Sequence, residues 1–205
     1  MPSSISNSDA GRGEARVIPA LPWSYDFAND KTIPQWWTSN GKLKLDPALP
    51  GIVVRPRDDT VGRRARIEMG KPDWSNLTVE ADVEGVEMRR QRGDAGVINQ
   101  RYVMVLFGNA QKIELHPWQA ADEMTVKVPF EWAANTWYHM KLRVQNQPDG
   151  KTLVQGKVWP TGQPEPAKWT VEKLDTIPHR NGSPGLYGDG ISDVHYDNFK
   201  VYKNQ

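Results

Sequence analysis

Apolar and polar residues take turns, one by one, over much of the chain beyond Pro19. Leu77, Val79, Ala81 and Val83 alternate with Thr78, Glu80, Asp82 and Glu84. Tyr138, Met140, Leu142 and Val144 alternate in the same way with His139, Lys141 and Arg143. Successive side chains of a strand point to opposite faces, so a period of two marks a strand with one face buried and one face wet. Strands are expected on this basis at 41–45, 52–55, 66–69, 77–84, 95–99, 102–107, 112–116, 125–128, 138–144, 153–159, 169–174 and 194–202. Pro148-Asp149-Gly150 supplies a turn, because proline presets φ, aspartate bonds to its own backbone and glycine accepts positive φ. About a dozen short strands at regular spacing, without an amphipathic helix, predict an all-β antiparallel sandwich of two sheets.

Composition narrows what such a domain does. Residues 1–18 are small and polar without periodicity, and read as a flexible arm ahead of one domain at 19–205. The 26 Lys and Arg nearly cancel the 25 Asp and Glu. That balance argues against nucleic acid or an anionic membrane as the partner, since both select a basic surplus. Without cysteine there is no disulfide framework, thiolate metal site or cysteine nucleophile. No apolar run approaches the roughly 18–20 residues of a membrane span, and no signal-peptide core follows Met1. Tryptophan outnumbers phenylalanine, 9 to 4. The indole has a large apolar face and one N–H, which suits a sandwich core and suits stacking on a sugar ring equally well.

Three segments carry a family likeness. Trp74-Ser-Asn-Leu-Thr-Val-Glu-Ala-Asp-Val83 and Thr136-Trp-Tyr-His-Met-Lys-Leu-Arg-Val144 resemble strands of the concanavalin A-like jelly rolls. The stretch from Gly185-Leu-Tyr187 to Tyr196-Asp-Asn-Phe-Lys-Val201 resembles their closing segment. That superfamily includes laminin G-like modules, legume lectins, glucanases and 3-keto-disaccharide hydrolase-like domains. Over about residues 15–203 the chain is most similar to the sandwich domain that follows pyrroloquinoline-quinone-type β-propeller repeats in bacterial envelope or secreted proteins. Ala15 to Ser24, Arg89 to Gly96, Gln100-Arg-Tyr102, Val105 to Asn109 and Lys157-Val-Trp-Pro160 carry that likeness. The resemblance implies a jelly roll, an extracytoplasmic bacterial setting, and a glycan, a propeller domain or another protein as partner. It implies no quinone, because nothing here resembles the propeller itself.

Two groups of residues offer chemistry. Glu80, Asp82 and Glu84 share one face of a strand at steps of roughly 6.5–7 Å. The same Glu-x-Asp-x-Glu spacing belongs to laminarinase-like glycosidases, and by that analogy Glu80 is nucleophile, Asp82 the orienting carboxylate and Glu84 the acid/base. An ordinary acidic solvent face shows the same pattern. The second group is Arg101, Glu114, His116 and Trp118. With Ile113 and Leu115 inward, Glu114, His116 and Trp118 face outward together, and sheet pairing is expected to bring Arg101 close to Asn109. An indole beside planar polar groups is the chemistry of a sugar site. The plainer alternative packs Trp118 under a loop and pairs Arg101 with Glu114.

The remaining signals are weaker. His116, His139, His179 and His195 lack the spacing of a zinc set, and no carboxylates are expected around them. Asp189, Asp193 and Asp197 suggest Ca2+, which jelly rolls of this type sometimes bind, although their spacing is not that of an EF-hand. The basic runs at Arg63-Arg64-Ala-Arg66 and Arg89-Arg90-Gln-Arg92 are expected to be solvated or paired with Asp58, Asp59 or Glu87, a polyanionic glycan being the bolder option. The leading expectation is a non-catalytic carbohydrate-binding or accessory module with Trp118, Arg101, Glu114 and His116 as its site. A glycoside hydrolase using Glu80, Asp82 and Glu84 is the rival, and a structural docking domain is the third class.

Overall fold

A computed structural model describes residues 18–28, 33–34, 36–50, 52–56, 64–119 and 122–205. The arm expected over 1–18 therefore lies, but for Ile18, outside the described residues. The strands are β1 (Trp23–Tyr25), β2 (Thr38–Asn40), β3 (Lys44–Leu45), β4 (Val53–Arg55), β5 (Ala65–Glu68), β6 (Leu77–Gly85), β7 (Glu87–Met88), β8 (Gln91–Arg92) and β9 (Asp94–Asn99). They continue with β10 (Tyr102–Phe107), β11 (Lys112–Pro117), β12 (Val126–Pro129), β13 (Trp137–Asn146), β14 (Thr152–Pro160), β15 (Val171–Asp175), β16 (Gly185–Asp189) and β17 (Val194–Lys203). One 3-10 turn, Asp122–Met124, is the sole helical element among the described residues, and none of their helices is long and apolar enough to cross a membrane.

Every ladder is antiparallel, and two large sheets result. One runs β15-β14-β13-β6-β17-β4-β3, with β1 also on β17, and the other runs β12-β11-β10-β9-β16-β5-β2. The expected sandwich is thus present, and the long alternating strands fall within a residue or two of their expected bounds. Val79, Ala81 and Val83 of β6 and Met140, Leu142 and Val144 of β13 turn inward, fully buried, against Val97, Met104, Leu106, Ile113 and Leu115 of the other sheet. Five strands lay outside the expected set: β1, β2, β7, β8 and β16. Four have two or three residues, too few to show a period. The fifth, β16, reads Gly-Leu-Tyr-Gly-Asp, whose glycines weaken any strand signal.

Polar side chains also tie the sheets together. Asn99, on β9 and fully buried, donates to the carbonyls of Leu77 at 2.7 Å and Leu142 at 3.1 Å in the opposite sheet. Tyr196 reaches across to the carbonyl of Tyr187 at 2.6 Å. Several tryptophans take the first of the two uses that composition leaves open, the core. Trp23, Trp36 and Trp37 join Tyr25 and Phe27 in an edge-to-face aromatic corner of the core, and Trp132 plugs the far end. Trp118, Trp137, Trp159 and Trp169 lie outside that core cluster.

Candidate functional site

The outward face of the eight-stranded sheet carries the densest set of ionisable groups. Because Val79, Ala81 and Val83 face the core, Glu80, Asp82 and Glu84 of β6 face out. Strand β13 pairs with β6 so that Trp137 lies opposite Glu84, His139 opposite Asp82 and Lys141 opposite Glu80. On the far side of β13, Trp159 lies opposite His139 and Lys157 opposite Lys141. On the other flank of β6, β17 sets His195 opposite Glu84 and Asp197 opposite Asp82. Polar and aromatic side chains thus cross the face in rungs.

A bulge shapes the middle of this ladder. The β6–β17 register shifts between Asp197 and Lys200, and Asn198 takes a φ of +50°. The extra residue lets Tyr196 and Phe199 both turn inward, fully buried, although they are three apart. It also aims Asn198 across the strand gap, where its amide donates to Asp82 Oδ2 at 2.8 Å.

The contacts within the ladder leave little unpaired. Glu80 Oε1 accepts from the Tyr202 hydroxyl at 2.6 Å and pairs with Lys141 at 3.1 Å, while its Oε2 lies 3.3 Å from His139 Nε2. Asp82 Oδ1 lies 2.6 Å from His139 Nδ1. His139 therefore bridges two carboxylates, and a second histidine, His195, meets Glu84 at 2.8 Å. Glu165, from the β14–β15 connection, spans Lys141 at 3.1 Å and Lys157 at 2.8 Å. Trp169 lies over the same Lys157 ammonium at 4.6 Å, and His139 rests on Trp159 with ring centroids 4.7 Å apart.

This wiring sets the charges. Burial alone would push the His139 imidazole down, but bonds to Asp82 and Glu80 more than offset it and hold the ring protonated up to about 9. Burial would raise Glu80, yet donors from His139, Tyr202 and Lys141 bring its carboxyl down to about 2. Tyr202 is pushed up to about 12, first by burial and then by its bond to the Glu80 carboxylate. Lys141 is raised despite burial by Glu165 and Glu80. Asp197 is raised by burial and by the neighbouring charges of Asp82 and Asp26, against the bond it accepts from the Asn198 N–H.

Such a face is poorly set for a two-carboxylate hydrolysis. The acid/base in that analogy is Glu84, and its carboxyl is already engaged by His195 at 2.8 Å. A carboxylate nucleophile needs a free oxygen, and both oxygens of Glu80 are engaged. The expectation that no carboxylates surround the histidines is corrected here, since His139 has two and His195 has one. The partners lie 57 and 59 positions from His139 and 111 from His195, so only strand order brings them together.

The second candidate group sits on the outward face of the other sheet. Ile113 and Leu115 are in the core, so Glu114 and His116 face out, next to Trp118. They do not form an open cluster. Glu114 pairs with Lys112 at 2.7 Å and not with Arg101. His116 is 9 % exposed, with Nδ1 on the Pro117 carbonyl at 2.7 Å. Trp118 packs on Ile98, Val103, Val105 and Tyr187, and the Arg66 guanidinium covers its ring at 3.6 Å. Arg101 occupies the β9–β10 turn at φ +67°, and its carbonyl accepts the Trp118 N–H at 2.6 Å. Its expected closeness to Asn109 is corrected: the six residues of β10 separate them, roughly 25 Å of extended chain.

The expected Ca2+ carboxylates fall on different elements, Asp189 at the end of β16, Asp193 just before β17 and Asp197 within it. No group of three or more His, Cys, Asp or Glu fit to hold a metal occurs among the described residues. Of the basic runs, Arg92 pairs with Glu87 at 2.8 Å as expected, and Arg64 meets Asp189 at 3.4 Å. Arg63, Asp58 and Asp59 lie outside the described residues.

The same architecture of two stacked sheets occurs in solved proteins. A galectin-like protein of unknown function from Bacillus subtilis superposes with a TM-score of 0.62 at 10% identity, over 88% of this chain and 94% of that one. The carbohydrate recognition domain of Emp47p gives 0.61 at 10% identity, over 89% and 95%. The fold is concanavalin A-like. A family 16 glycosyl hydrolase from Mycobacterium smegmatis shares it, with 0.57 at 11% identity over 88% and 99%. At these identities the likeness concerns architecture. No protein-family model matches the sequence, and no curated protein sequence matches it.

Proposed function

We propose that this domain is a non-catalytic carbohydrate-recognition module, and that its sugar lies on the outward face of the eight-stranded sheet. The observation that carries the reading is the ladder itself: fixed planar polar groups beside the half-buried Trp137. Sugars are bound by aromatic faces that take their C–H groups and by planar side chains that take their hydroxyls. Asp82, Glu84, His139, His195 and Asn198 supply the second kind, each held by a neighbour and so preorganised at little entropic cost. The engaged state of Glu80 favours binding over hydrolysis. A lectin-like neighbour such as the Emp47p domain supports the ligand class, and the sequence likeness supports an accessory module in an extracytoplasmic bacterial protein.

The test is a glycan array on the parent, Trp137→Ala and Trp118→Ala, with and without Ca2+. Trp137 is half-buried and Trp118 marks the rival face, so the two variants separate the sites. The expected result is a hit lost in Trp137→Ala and kept in Trp118→Ala, with melting temperatures near the parent's. A parent that binds nothing, or a hit that survives in Trp137→Ala, overturns the reading. Any hit is then incubated with the parent and Glu80→Gln, and hydrolysis by the parent alone would make the domain an enzyme.

A further inference from the structure

The β7–β8 hairpin is a separate two-stranded ribbon, outside both sheets, and its tip is Arg89-Arg90. Both arginines sit in the left-handed region, at φ +51° and +61°. Two-residue hairpin turns of this kind favour Asn-Gly, since only glycine takes such φ freely. Arginine there is disfavoured, and residues held in sparsely populated conformations persist where the surroundings over-determine them.

The surroundings do so here. Asn109 accepts from the Arg92 N–H at 3.0 Å and donates to Gln91 Oε1 at 2.6 Å. Ser192 donates to the Gln91 carbonyl at 2.7 Å, and Asn135 accepts from the Glu87 N–H at 3.2 Å. Arg92 is clamped by Glu87 at 2.8 Å and by the Trp132 carbonyl at 2.8 Å. Gly108 lets the next turn close in, because a Cβ there would meet Arg92 Cβ at 2.5 Å. The hairpin is bolted to the body along both legs.

Between this hairpin, the β10–β11 turn and residues 131–133 lies a recess of about 840 Å³. Its walls include Arg90, Asn109, Gln111, Glu131, Trp132 and Tyr138. Tyr138 points inward from β13 while Trp137 points outward, so the recess and the ladder are different sites. Most wall groups are consumed internally: the Gln111 amide serves the Trp132 N–H and the Gly108 carbonyl, and the Tyr138 hydroxyl accepts from the Ala133 N–H. Arg90 and Glu131 are the exceptions, both exposed and neither with a partner among the described residues.

We infer that this recess binds an acidic sugar, whose carboxylate docks on Arg90 and whose hydroxyls donate to Glu131. A guanidinium fork matches a carboxylate, and a free carboxylate elsewhere on the wall asks for donors. A sugar acid carries both on one small frame, whereas a bare anion satisfies only Arg90. The inference rests on the carbohydrate reading for the kind of molecule and is independent of it for the surface.

The experiment titrates the parent, Arg90→Ala, Glu131→Gln and Trp137→Ala with D-glucuronate, galacturonate oligomers, D-glucose and acetate, by NMR and calorimetry. Glucuronate is expected to bind the parent, to weaken about tenfold or more in Arg90→Ala and to weaken less in Glu131→Gln. Oligomers that bind where the free acid does not would place the source in a polymer, with the same dependence on Arg90. Arg90→Gly is expected to melt higher than the parent while losing glucuronate, which separates binding from folding. No glucuronate binding by the parent together with no oligomer binding, equal binding of acetate, or binding unchanged in Arg90→Ala overturns the inference. So does acid binding lost in Trp137→Ala instead. A neutral glycan that still binds Arg90→Ala would leave the ladder reading standing whatever happens at the recess.

Discussion

The outward faces of the two sheets are built on opposite plans. On β6 and β13 the outward positions are Glu80, Asp82, Glu84, Trp137, His139 and Lys141, a hydrogen-bonded ionic ladder. On β9 and β10 they are Ile98, Val103 and Val105, which are at most 1 % exposed and join Tyr187, Phe107 and Trp118 in a second apolar cluster. The outer face of one sheet is ionic at its centre, while that of the other is apolar at its centre and turns polar at β11, with Lys112 and Glu114. The difference teaches where recognition can be wet: the ion-paired groups on the outer face of β6, β13 and β17 keep 10–18 % side-chain exposure to solvent, while Ile98, Val103 and Val105 on β9 and β10 keep at most 1 %.

The sharpest way to break this contrast is to put a charge on the greasy outer face. Val105→Asp buries an unpaired carboxylate, and its cost is expected to be on the order of 3–5 kcal/mol by urea denaturation. Glu84→Val, an outward position of the ladder, is expected to cost only about 1 kcal/mol, with His195 left to find water. If the two substitutions cost the same, the outer face of the seven-stranded sheet is not an apolar layer.

Next in size is Glu80, which accepts from Tyr202 and pairs with Lys141 and His139. Glu80→Gln removes the charge and leaves two cations facing each other, for an expected loss of about 2 kcal/mol. The same ladder predicts the pH profile. His139 is protonated up to about 9 in the folded protein against 6.5 ordinarily, so its contribution is whole below 6.5 and is lost as pH rises through 9. Glu80 works the other way: its contribution is whole above 4.5 and is lost as pH falls through about 2. Thermal melts of the parent and His139→Gln between pH 6 and 10 check this, the parent sloping down and the variant staying flatter. Parallel curves would mean that the ring is not held between Asp82 and Glu80.

Legibility followed the same divide. The period of two in β6 and β13 shows which residues face out, so the Glu80, Asp82 and Glu84 set and its shared face were readable from the sequence. The partners were not, because cross-strand neighbours are decided by strand order, and β17 comes to lie beside β6 from more than 100 residues away. Ala95 to Ile98 and Tyr102 to Leu106 are apolar on both faces, and runs of that kind do not say which side is the core. That ambiguity is why Trp118 read as an open sugar platform. The signal that could have tempered it was Arg66, one cation in a strand otherwise set to be half-buried.

Arg66 also offers the finest test of the contrast. Its guanidinium lies 3.6 Å over Trp118 and 5.9 Å from Tyr187, and burial lowers its affinity for the proton. Arg66→Ala uncovers the indole and removes a cation–π contact, for an expected cost of about 1 kcal/mol. If the face of Trp118 is a sugar platform held shut by arginine, uncovering it should create or tighten glycan binding. If recognition belongs to the ladder, Arg66→Ala should bind as the parent does while Trp137→Ala does not. A gain of binding in Arg66→Ala would therefore move the sugar to the seven-stranded sheet, because stacking needs an indole face that nothing else occupies.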